Sequence, residues 1–283
     1  MQANWVPAAT AAALTALTAL AAGQASGAPA VEIRDAVARV TVIPEDRSDI
    51  AVTVMKTNPR LPLRIERRGD GVVVRGDVGM RVGGCGSRFG RPKVRVWGVG
   101  EVGYDDMPQL VIHTPREVRV NASGAVFGVV GRAAGVDLGN AGCGDWTVAD
   151  VAGPLGVRIS GSGDTRAGAA ASADLRISGS GDIFTRRVAD GLNVATSGSG
   201  DVQAGWVGGP LRVRIAGSGD VRAQDGQVTA MDVSVAGSGD VSFGGVAQRL
   251  TANVAGSGDV TAARVSGPVI KHVVGSGDVR AGR

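Results

Sequence analysis

The tetrapeptide Gly161-Ser162-Gly163-Asp164 decides the fold, because it returns six more times before the sequence ends. The later copies begin at Gly179, Gly198, Gly217, Gly237, Gly256 and Gly275. Successive copies are 18 to 20 residues apart, and the variant Gly142-Cys143-Gly144-Asp145 lies 19 residues upstream in the same phase. This period is too long for a heptad and too short for helical solenoids or propeller blades. It predicts a coil of short strands with one turn per repeat.

Apolar and polar residues alternate on both sides of each tetrapeptide. Leu211-Arg212-Val213-Arg214-Ile215 precedes the copy at Gly217, and Val221-Arg222-Ala223 follows it. A period of two is typical of a strand with one buried face. A further apolar position, such as Val246, often has Gly or Pro close to it and indicates a corner. The pattern predicts an all-β, single-stranded parallel β-helix of about 19-residue coils, right-handed by the usual chirality of parallel crossovers.

The tetrapeptide has two interpretations. Glycine reaches positive φ, and short Ser and Asp side chains bond neighbouring backbone N–H groups, so the sequence is suited to a tight turn. Stacked coils would also place the aspartates in a column about 4.8 Å apart, where like charges repel unless they are hydrogen-bonded, paired or metal-bound. The alternative is a calcium column, as in Gly-rich β-rolls. Its central members would be Asp164, Asp182, Asp201, Asp220, Asp240 and Asp259. Because calcium takes six to eight oxygen ligands and each coil supplies one carboxylate, we favour the turn and expect no cofactor.

The first 30 residues carry no charged side chain, and residues 8–22 form an uninterrupted run of small or apolar residues with Thr. Two small-residue segments, Ala25-Ser26-Gly27 and Ala28-Pro29-Ala30, follow this run. We interpret residues 1–30 as a secretory signal peptide cleaved near residues 27–30. The run is short for a membrane span, and no other segment qualifies as one. The mature protein is therefore expected in the periplasm, or secreted to the cell surface or beyond.

Two cysteines in an exported chain predict a disulfide between Cys85 and Cys143, although two unpaired thiols remain the alternative. Cys143 takes the Ser position of the first clear corner, and Cys85 lies in a Gly-rich stretch. The bond would close a loop of nearly sixty residues, worth about 4 kcal/mol in the chain-entropy model.

Residues 31–121 show short β-like runs without the repeat, and residues 122–283 carry the regular repeat. The first region could form irregular opening coils or a small sandwich packed on the first coil. Ala122-Ser123-Gly124-Ala125 matches the phase of the repeat and counts as a degenerate first coil, which gives about nine coils.

Positive charge is concentrated between Arg60 and Arg95, in a chain of net charge +4 and isoelectric point near 9.7. A solvated basic face is one interpretation, and a contact with an anionic partner is the other. An exported protein seldom meets nucleic acid, so we expect no nucleic acid and look to an envelope or extracellular polysaccharide, lipid headgroup or protein. The candidate contacts are Arg64, Arg67, Arg68, Arg88, Arg91 and Lys93.

Two classes of function remain open. One is a non-enzymatic binding, adhesin-like or structural module of the cell envelope, and the other is a carbohydrate-active β-helix enzyme that acts on an anionic polysaccharide. The period varies by at most one residue, so no long loops wall a cleft, and smooth sides are expected. His113 and His272 fall on different coils, and aromatic residues make up 3% of the chain. We therefore expect no catalytic residues and favour the non-enzymatic module.

Lys271 occupies a position that Val213 and Val233 fill in other coils. An inward-pointing charge at an exposed edge guards against strand pairing between molecules. A monomer is therefore expected, with end-to-end dimerisation as the second choice.

The sequence resembles the bacterial family called putative auto-transporter adhesin, head GIN domain. The resemblance lies in the seven corners, in the frame Leu-x-Val-x-x-Ala-Gly-Ser-Gly-Asp-Val and in the upstream segment Pro115-Arg116-Glu117-Val118-Arg119-Val120. The likeness covers roughly Val31 to Val279. It implies an exported β-helical protein with an adhesin label, and it supplies no catalytic residues. The Cys143 corner and the regularity of the repeats depart from the family pattern, so the resemblance says little about the partner.

Overall fold

The computed structural model describes residues 29–88 and 91–283. Within them the chain is all-β, with parallel strands that stack as a solenoid of about nine turns, about 19 residues apart, after a set of irregular strands. Two short 3-10 turns, Gly79–Arg81 and Tyr104–Asp106, interrupt the strands. The predicted β-helix is confirmed, whereas its right-handedness stays a prediction. Residues 1–28 of the predicted signal peptide lie outside the described residues.

The strands of the described residues are numbered in chain order. They are β1 (Val31–Glu45), β2 (Ala51–Lys56), β3 (Arg64–Arg68), β4 (Gly71–Arg75), β5 (Val82–Arg88), β6 (Arg91–Val96), β7 (Gly100–Gly103), β8 (Gln109–Pro115), β9 (Glu117–Val130), β10 (Gly135–Asn140), β11 (Trp146–Val148), β12 (Pro154–Ile159), β13 (Thr165–Ala170), β14 (Ser172–Ile177), β15 (Ile183–Val188), β16 (Leu192–Thr196), β17 (Val202–Gly217), β18 (Val221–Gly237), β19 (Val241–Ala247), β20 (Leu250–Gly256), β21 (Val260–Val265), β22 (Val269–Gly275) and β23 (Val279–Ala281).

Each turn of the solenoid contributes to two main parallel ladders, one before the corner and one after it. In the first ladder β14 pairs with β16 and β16 with β17, so that Leu192 lies beside Leu211 and Val194 beside Val213. In the second ladder β15 pairs with β17, and β17 with β18. Because one step of the register equals one repeat, equivalent residues of successive turns stack in columns.

Alternate columns face a continuous interior that is mostly aliphatic. Leu155, Val157 and Ile159 of one turn are 0–1% exposed, and so are Leu211 and Val213 three turns further on. Burial of one such side chain contributes about 1.5–3 kcal/mol. The buried set of the solenoid forms one hydrophobic cluster from Val31 to Val279, which is the core that the period-two alternation predicts.

The two glycines of each corner are required because adjacent turns approach closely. A Cβ added at Gly198 would lie 2.0 Å from the carbonyl oxygen of Gly179. Among the seven Gly-Ser-Gly-Asp copies, positive φ is confined to the first glycine of the last three, Gly237, Gly256 and Gly275. Our explanation from positive φ was therefore wrong for most corners, where a side chain would collide with the backbone of the turn below.

The opening strands extend the solenoid in an order that differs from the chain order. β1 pairs with β9 on one side and with both β4 and β8 on the other, all in parallel. β3 then pairs with β4, and β2 with β8, in antiparallel registers that continue the sheet beyond this rung. The alternative of irregular opening coils is thus confirmed for β1, β4 and β8. The proposed division between residues 121 and 122 falls within β9.

Strands β5, β6 and β7 leave the solenoid and form a separate antiparallel sheet. This sheet packs on the early turns through a second hydrophobic cluster that contains Val94, Val96 and Met107 with Phe127 of β9. The ring of Tyr104 meets that of Phe127 edge to face, with centroids 6.1 Å apart. The excursion between β4 and β8 is therefore anchored to the rod by its own small core.

Candidate functional site

The six basic residues singled out from the sequence lie on two different sheets. Arg64, Arg67 and Arg68 belong to β3, where every residue is exposed. Among the described residues, no carboxylate lies within ion-pair distance of these three arginines, since Glu66 of the same strand pairs with Arg75 instead. β3 thus carries three uncompensated positive charges on the opening part of the rod.

The other three basic residues belong to the separate sheet. Arg91 forms an ion pair with Asp105, and Lys93 lies 2.9 Å from Glu101. The hydrogen bond from Lys93 lowers the pKa of Glu101. Arg88 pairs with Arg91 through the backbone of the β5–β6 hairpin. The charges of Arg91 and Lys93 are therefore paired with neighbouring carboxylates. Within the described chain, the basic surface without carboxylate partners is that of β3.

The corner aspartates form a ladder of hydrogen bonds along the rod. The backbone N–H of Asp201 donates to Oδ1 of Asp182, and the N–H of Asp220 donates to Oδ1 of Asp201, each at 2.8 Å. The same bond recurs at every step from Asp145 to Asp278, at 2.7–3.0 Å. Each carboxylate accepts a hydrogen bond to its charged form, which offsets the repulsion within the column.

The ladder gives the aspartate at each corner a structural role. One oxygen of each central carboxylate is occupied by a backbone N–H of the next turn. Within residues 29–88 and 91–283, no group of three or more His, Cys, Asp or Glu is arranged to hold a metal ion. That the corners hold no cofactor stays a prediction, with the calcium column as its alternative, and the test is the unfolding temperature with calcium and with chelator.

A disulfide joins Cys85 of β5 to Cys143 of the first corner, with the two Cα atoms 5.7 Å apart. Both cysteines pack against the second hydrophobic cluster. The bond spans 58 residues of sequence and fastens the separate sheet to the solenoid. Its role in the structure is therefore that of a clamp on the opening excursion.

A long groove follows the outer side of the first ladder, where its strands enter the corners. It has a volume of about 940 Å³, and three consecutive residues from each of several turns line it, for example Arg176-Ile177-Ser178 and Ala195-Thr196-Ser197. The groove begins at Glu32 to Arg34 on β1 and reaches Ser234 and Ala236 on β18. It crosses eight strands, so its length is about 34 Å at a strand spacing of about 4.8 Å.

Columns of small residues create the groove. The residue that precedes the first corner glycine points outward and is Ser or Ala in every copy except the last, where it is Val274. The members of this column that line the groove are Ala141, Ser160, Ser178, Ser197, Ala216 and Ala236. In the neighbouring outward column, Gly139, Ala195 and Ser234 leave gaps between larger side chains. The lining surface is mostly apolar, because Cβ atoms and the edges of buried isoleucines form it.

Four arginines, Arg34, Arg158, Arg176 and Arg214, lie along this groove. Three of them already have carboxylate partners. Arg34 pairs with Glu32, Arg158 with Asp137, and Arg176 with Asp174 at 2.8 Å. Among the described residues, no carboxylate lies within ion-pair distance of Arg214. The groove therefore combines an apolar floor with one uncompensated guanidinium near its β18 end.

The expectation of smooth sides was wrong, because a cleft can form without long loops. The sequence signal is the Ser or Ala that stands before each corner from Gly142 to Gly256. Side-chain size in an outward column, and not only its charge, determines whether the side of the rod is smooth. The β-helix register converts such a column into a continuous depression.

The two histidines lie away from the groove and from each other. Nδ1 of His113 on β8 is 3.0 Å from Oε1 of Glu45. Glu45 has a lowered pKa, first because of a hydrogen bond from Arg47. His272 lies on β22, whose residues are all exposed. Lys271 of the same strand is therefore exposed too, and its backbone lies beside that of Ala252 in the ladder.

The fold places the chain among β-solenoid proteins with a grooved side. Residues 185–282 match the model of the family described as "Putative auto-transporter adhesin, head GIN domain". This confirms the family resemblance, and the matched segment is about a third of the chain and holds the last five turns. Comparison with curated proteins found no match.

Two solved structures are similar over most of the chain. A crystal structure described as a putative lipid binding protein from Parabacteroides distasonis ATCC 8503 has a TM-score of 0.53 and 20% identity, and the match covers 90% of this chain and 94% of that one. A crystal structure described as a putative adhesin from Bacteroides fragilis NCTC 9343 has a TM-score of 0.43 and 14% identity, with coverage of 90% and 93%. The Parabacteroides structure shows that the two chains share the solenoid fold.

None of the helical segments in residues 29–88 and 91–283 has the length and apolar character needed to cross a membrane.

Proposed function

We propose that this chain is a non-enzymatic, adhesin-like binding module that works in the cell envelope or outside the cell, and that the groove is its binding surface. The observation that carries the proposal is the groove itself, which has a volume of about 940 Å³, a mostly apolar concave lining and arginines along it. A ligand site of this kind is typically concave, mostly apolar and furnished with a few polar groups. The adhesin-family match and the absence of charged side chains from the first 30 residues support the proposed location.

The chemistry of the lining supports binding over catalysis. Hydrolysis of a glycosidic bond ordinarily needs two carboxyl groups that flank the bond. Among the residues that line the groove, Glu32 is the one carboxylate, and it is paired with Arg34. The lining residues include no histidine, cysteine or lysine that could serve as base or nucleophile. A glycoside hydrolase of the two-carboxylate kind would have to work elsewhere on the rod.

The exposed arginines of β3 provide a second contact for an anionic partner. Arg64, Arg67 and Arg68 lie close together in sequence on a strand whose far edge pairs with no other strand of the described chain. Such a surface attracts anionic envelope polymers over a range set by salt. We expect the module to act as a monomer, and the exposed strand β22 is where an end-to-end dimer would form.

The test blocks the groove and compares the result with a matched substitution on another side. Ala195 lies between Arg176 and Arg214 in the ladder register, so Ala195→Phe should fill the middle of the groove. Gln203 is an exposed residue of the same turn beside Phe184 in the second ladder, so Gln203→Phe is the control. Immobilised protein is exposed to fractionated envelope lipids and polysaccharides, and the retained material is quantified.

The proposal expects retention by the native protein and the Gln203→Phe control, and loss of at least tenfold in Ala195→Phe. Equal retention by both variants would show that the groove is not the binding surface. The same fractions are assayed for chain cleavage after long incubation. Release of shortened anionic polysaccharide would overturn the non-enzymatic assignment.

A further inference from the structure

We propose that the groove binds a single-chain anionic amphiphile, with an acyl chain along the floor and a carboxylate or phosphate head at Arg214. This inference rests on the proposed function, because it names the ligand of the same groove. It is drawn from the shape of the groove, the atoms of its floor and the distribution of charge along it.

The shape suits an extended chain. The groove takes no more than three residues from any turn and crosses eight strands, so it is narrow and about 34 Å long. Its volume lies in the range of about 300–1,000 Å³ that holds small-molecule ligands. A compact ligand would leave most of this length empty, whereas a linear hydrocarbon would follow it.

The floor has the chemistry of a hydrocarbon site. Ile177 and Ile215 lie beneath it, and the outward residues between them are Ala and Ser. The hydroxyls of Ser178 and Ser197 are directed at backbone carbonyls of the preceding turn at 3.4 Å, so the side chains present mainly carbon to the groove. Sugar rings are usually held by aromatic faces and many hydrogen bonds, and no aromatic residue is among those lining the groove.

The charges favour one anionic head over a charged polymer. Arg158 and Arg176 are paired with Asp137 and Asp174, which lie in the next outward column. With their guanidinium groups so held, their aliphatic stems can flank the hydrocarbon chain. Arg214, without such a partner in the described chain, offers a two-pronged donor to a carboxylate or phosphate. A polysaccharide with a charge on every unit would need a regular row of free cations.

The experiment measures Kd by isothermal titration calorimetry for decanoate, dodecanoate and tetradecanoate below their micelle concentrations, with the native protein. A fully buried methylene improves binding about fourfold and a half-buried one about twofold, so each two-carbon step should tighten Kd by at least about fourfold. Ala195→Phe should weaken tetradecanoate at least tenfold. The chain-length series uses the native protein, so it gives a result even if Ala195→Phe fails to fold.

The head group is tested separately with monolaurin, which is neutral and has the same chain as dodecanoate. Arg214→Gln should weaken dodecanoate about tenfold and leave monolaurin within about twofold. Arg222→Gln, on the second-ladder face, is the control and should change neither Kd. Equal weakening of both ligands by Arg214→Gln would overturn the assignment of the head.

The two proposals fail in different ways. If Kd does not depend on chain length, the amphiphile proposal is wrong and the binding groove stands. The same conclusion follows if no fatty acid binds but the protein retains envelope polysaccharide and Ala195→Phe abolishes that retention. If nothing retained by the protein is sensitive to Ala195→Phe, both proposals fall.

Discussion

Replacing the second glycine of a central corner with alanine should disrupt the stacking of two turns. A Cβ at Gly200 would lie 2.2 Å from the carbonyl oxygen of Gly181 and 3.1 Å from Cγ2 of Ile177. The nearer atom belongs to the backbone, so the clash cannot be relieved by a side-chain rotation, and the turns must separate by about 1 Å. That movement strains two inter-turn hydrogen bonds, from the N–H of Ser199 and from the N–H of Asp201. Overpacking and these bonds together predict a loss of about 3 kcal/mol for Gly200→Ala.

The matched control is Gly86→Ala on β5, where the added Cβ would have no atom within 4 Å. Thermal unfolding followed by circular dichroism, with the disulfide intact, should place Gly200→Ala about 6–12 °C below the native protein. The Tm of Gly86→Ala should stay within about 2 °C, because a conformationally compatible Gly→Ala change costs nothing in contacts. If both variants melt with the native protein, close approach of the turns is not what the corner glycines serve.

Three further predictions concern the ladder, the clamp and acid. Asp201→Ala leaves a backbone N–H of the next turn without its acceptor and should cost about 1–2 kcal/mol, whereas Asp201→Asn keeps an acceptor oxygen and should cost less, as measured by urea unfolding. Reduction of the bond between Cys85 and Cys143 should lower stability by up to about 4 kcal/mol, and the double Ser variant should show no response to reductant. The pKa of Asp150 is lowered by a backbone N–H of the next turn and then by Arg186. Its contribution to stability is therefore present above the pKa of the unfolded chain and is lost as pH falls through the lower folded pKa, so Asp150→Asn should flatten acid unfolding below about pH 4.

The repeating part of the fold was predictable because its determinants are local. Leu192 and Val194 show the alternation within one strand, and the tetrapeptide marks each corner, so a single repeat contains the rule for the whole rod. The order of the opening rungs was not predictable in this way. β1 lies between β8 and β9 although β8 comes more than sixty residues later in the chain, and such a pairing depends on long-range packing that no local pattern records.

The candidate site shows the same division. The concentration of positive charge in the sequence pointed to the arginines of β3. Closeness in sequence did not, however, put them on the same sheet as Lys93, because β5 to β7 leave the solenoid between β4 and β8. The groove could have been predicted from the small residues that stand before the corners from Gly142 to Gly256. Recognising it requires stacking the repeats first and reading outward columns down the rod, since no single turn contains a depression.

The features that fix the fold also maintain the groove. Close contact between corner glycines and the hydrogen bond from each Asp N–H to the carboxylate below hold every turn at the same height and register. A one-residue slip would exchange inward and outward positions and so destroy core and groove together. Substitutions at outward positions such as Ala195 or Arg214 leave the inward columns untouched. The core and corners therefore constrain the length of each repeat, while the shape and charge of the groove can be altered one outward residue at a time without altering the rod.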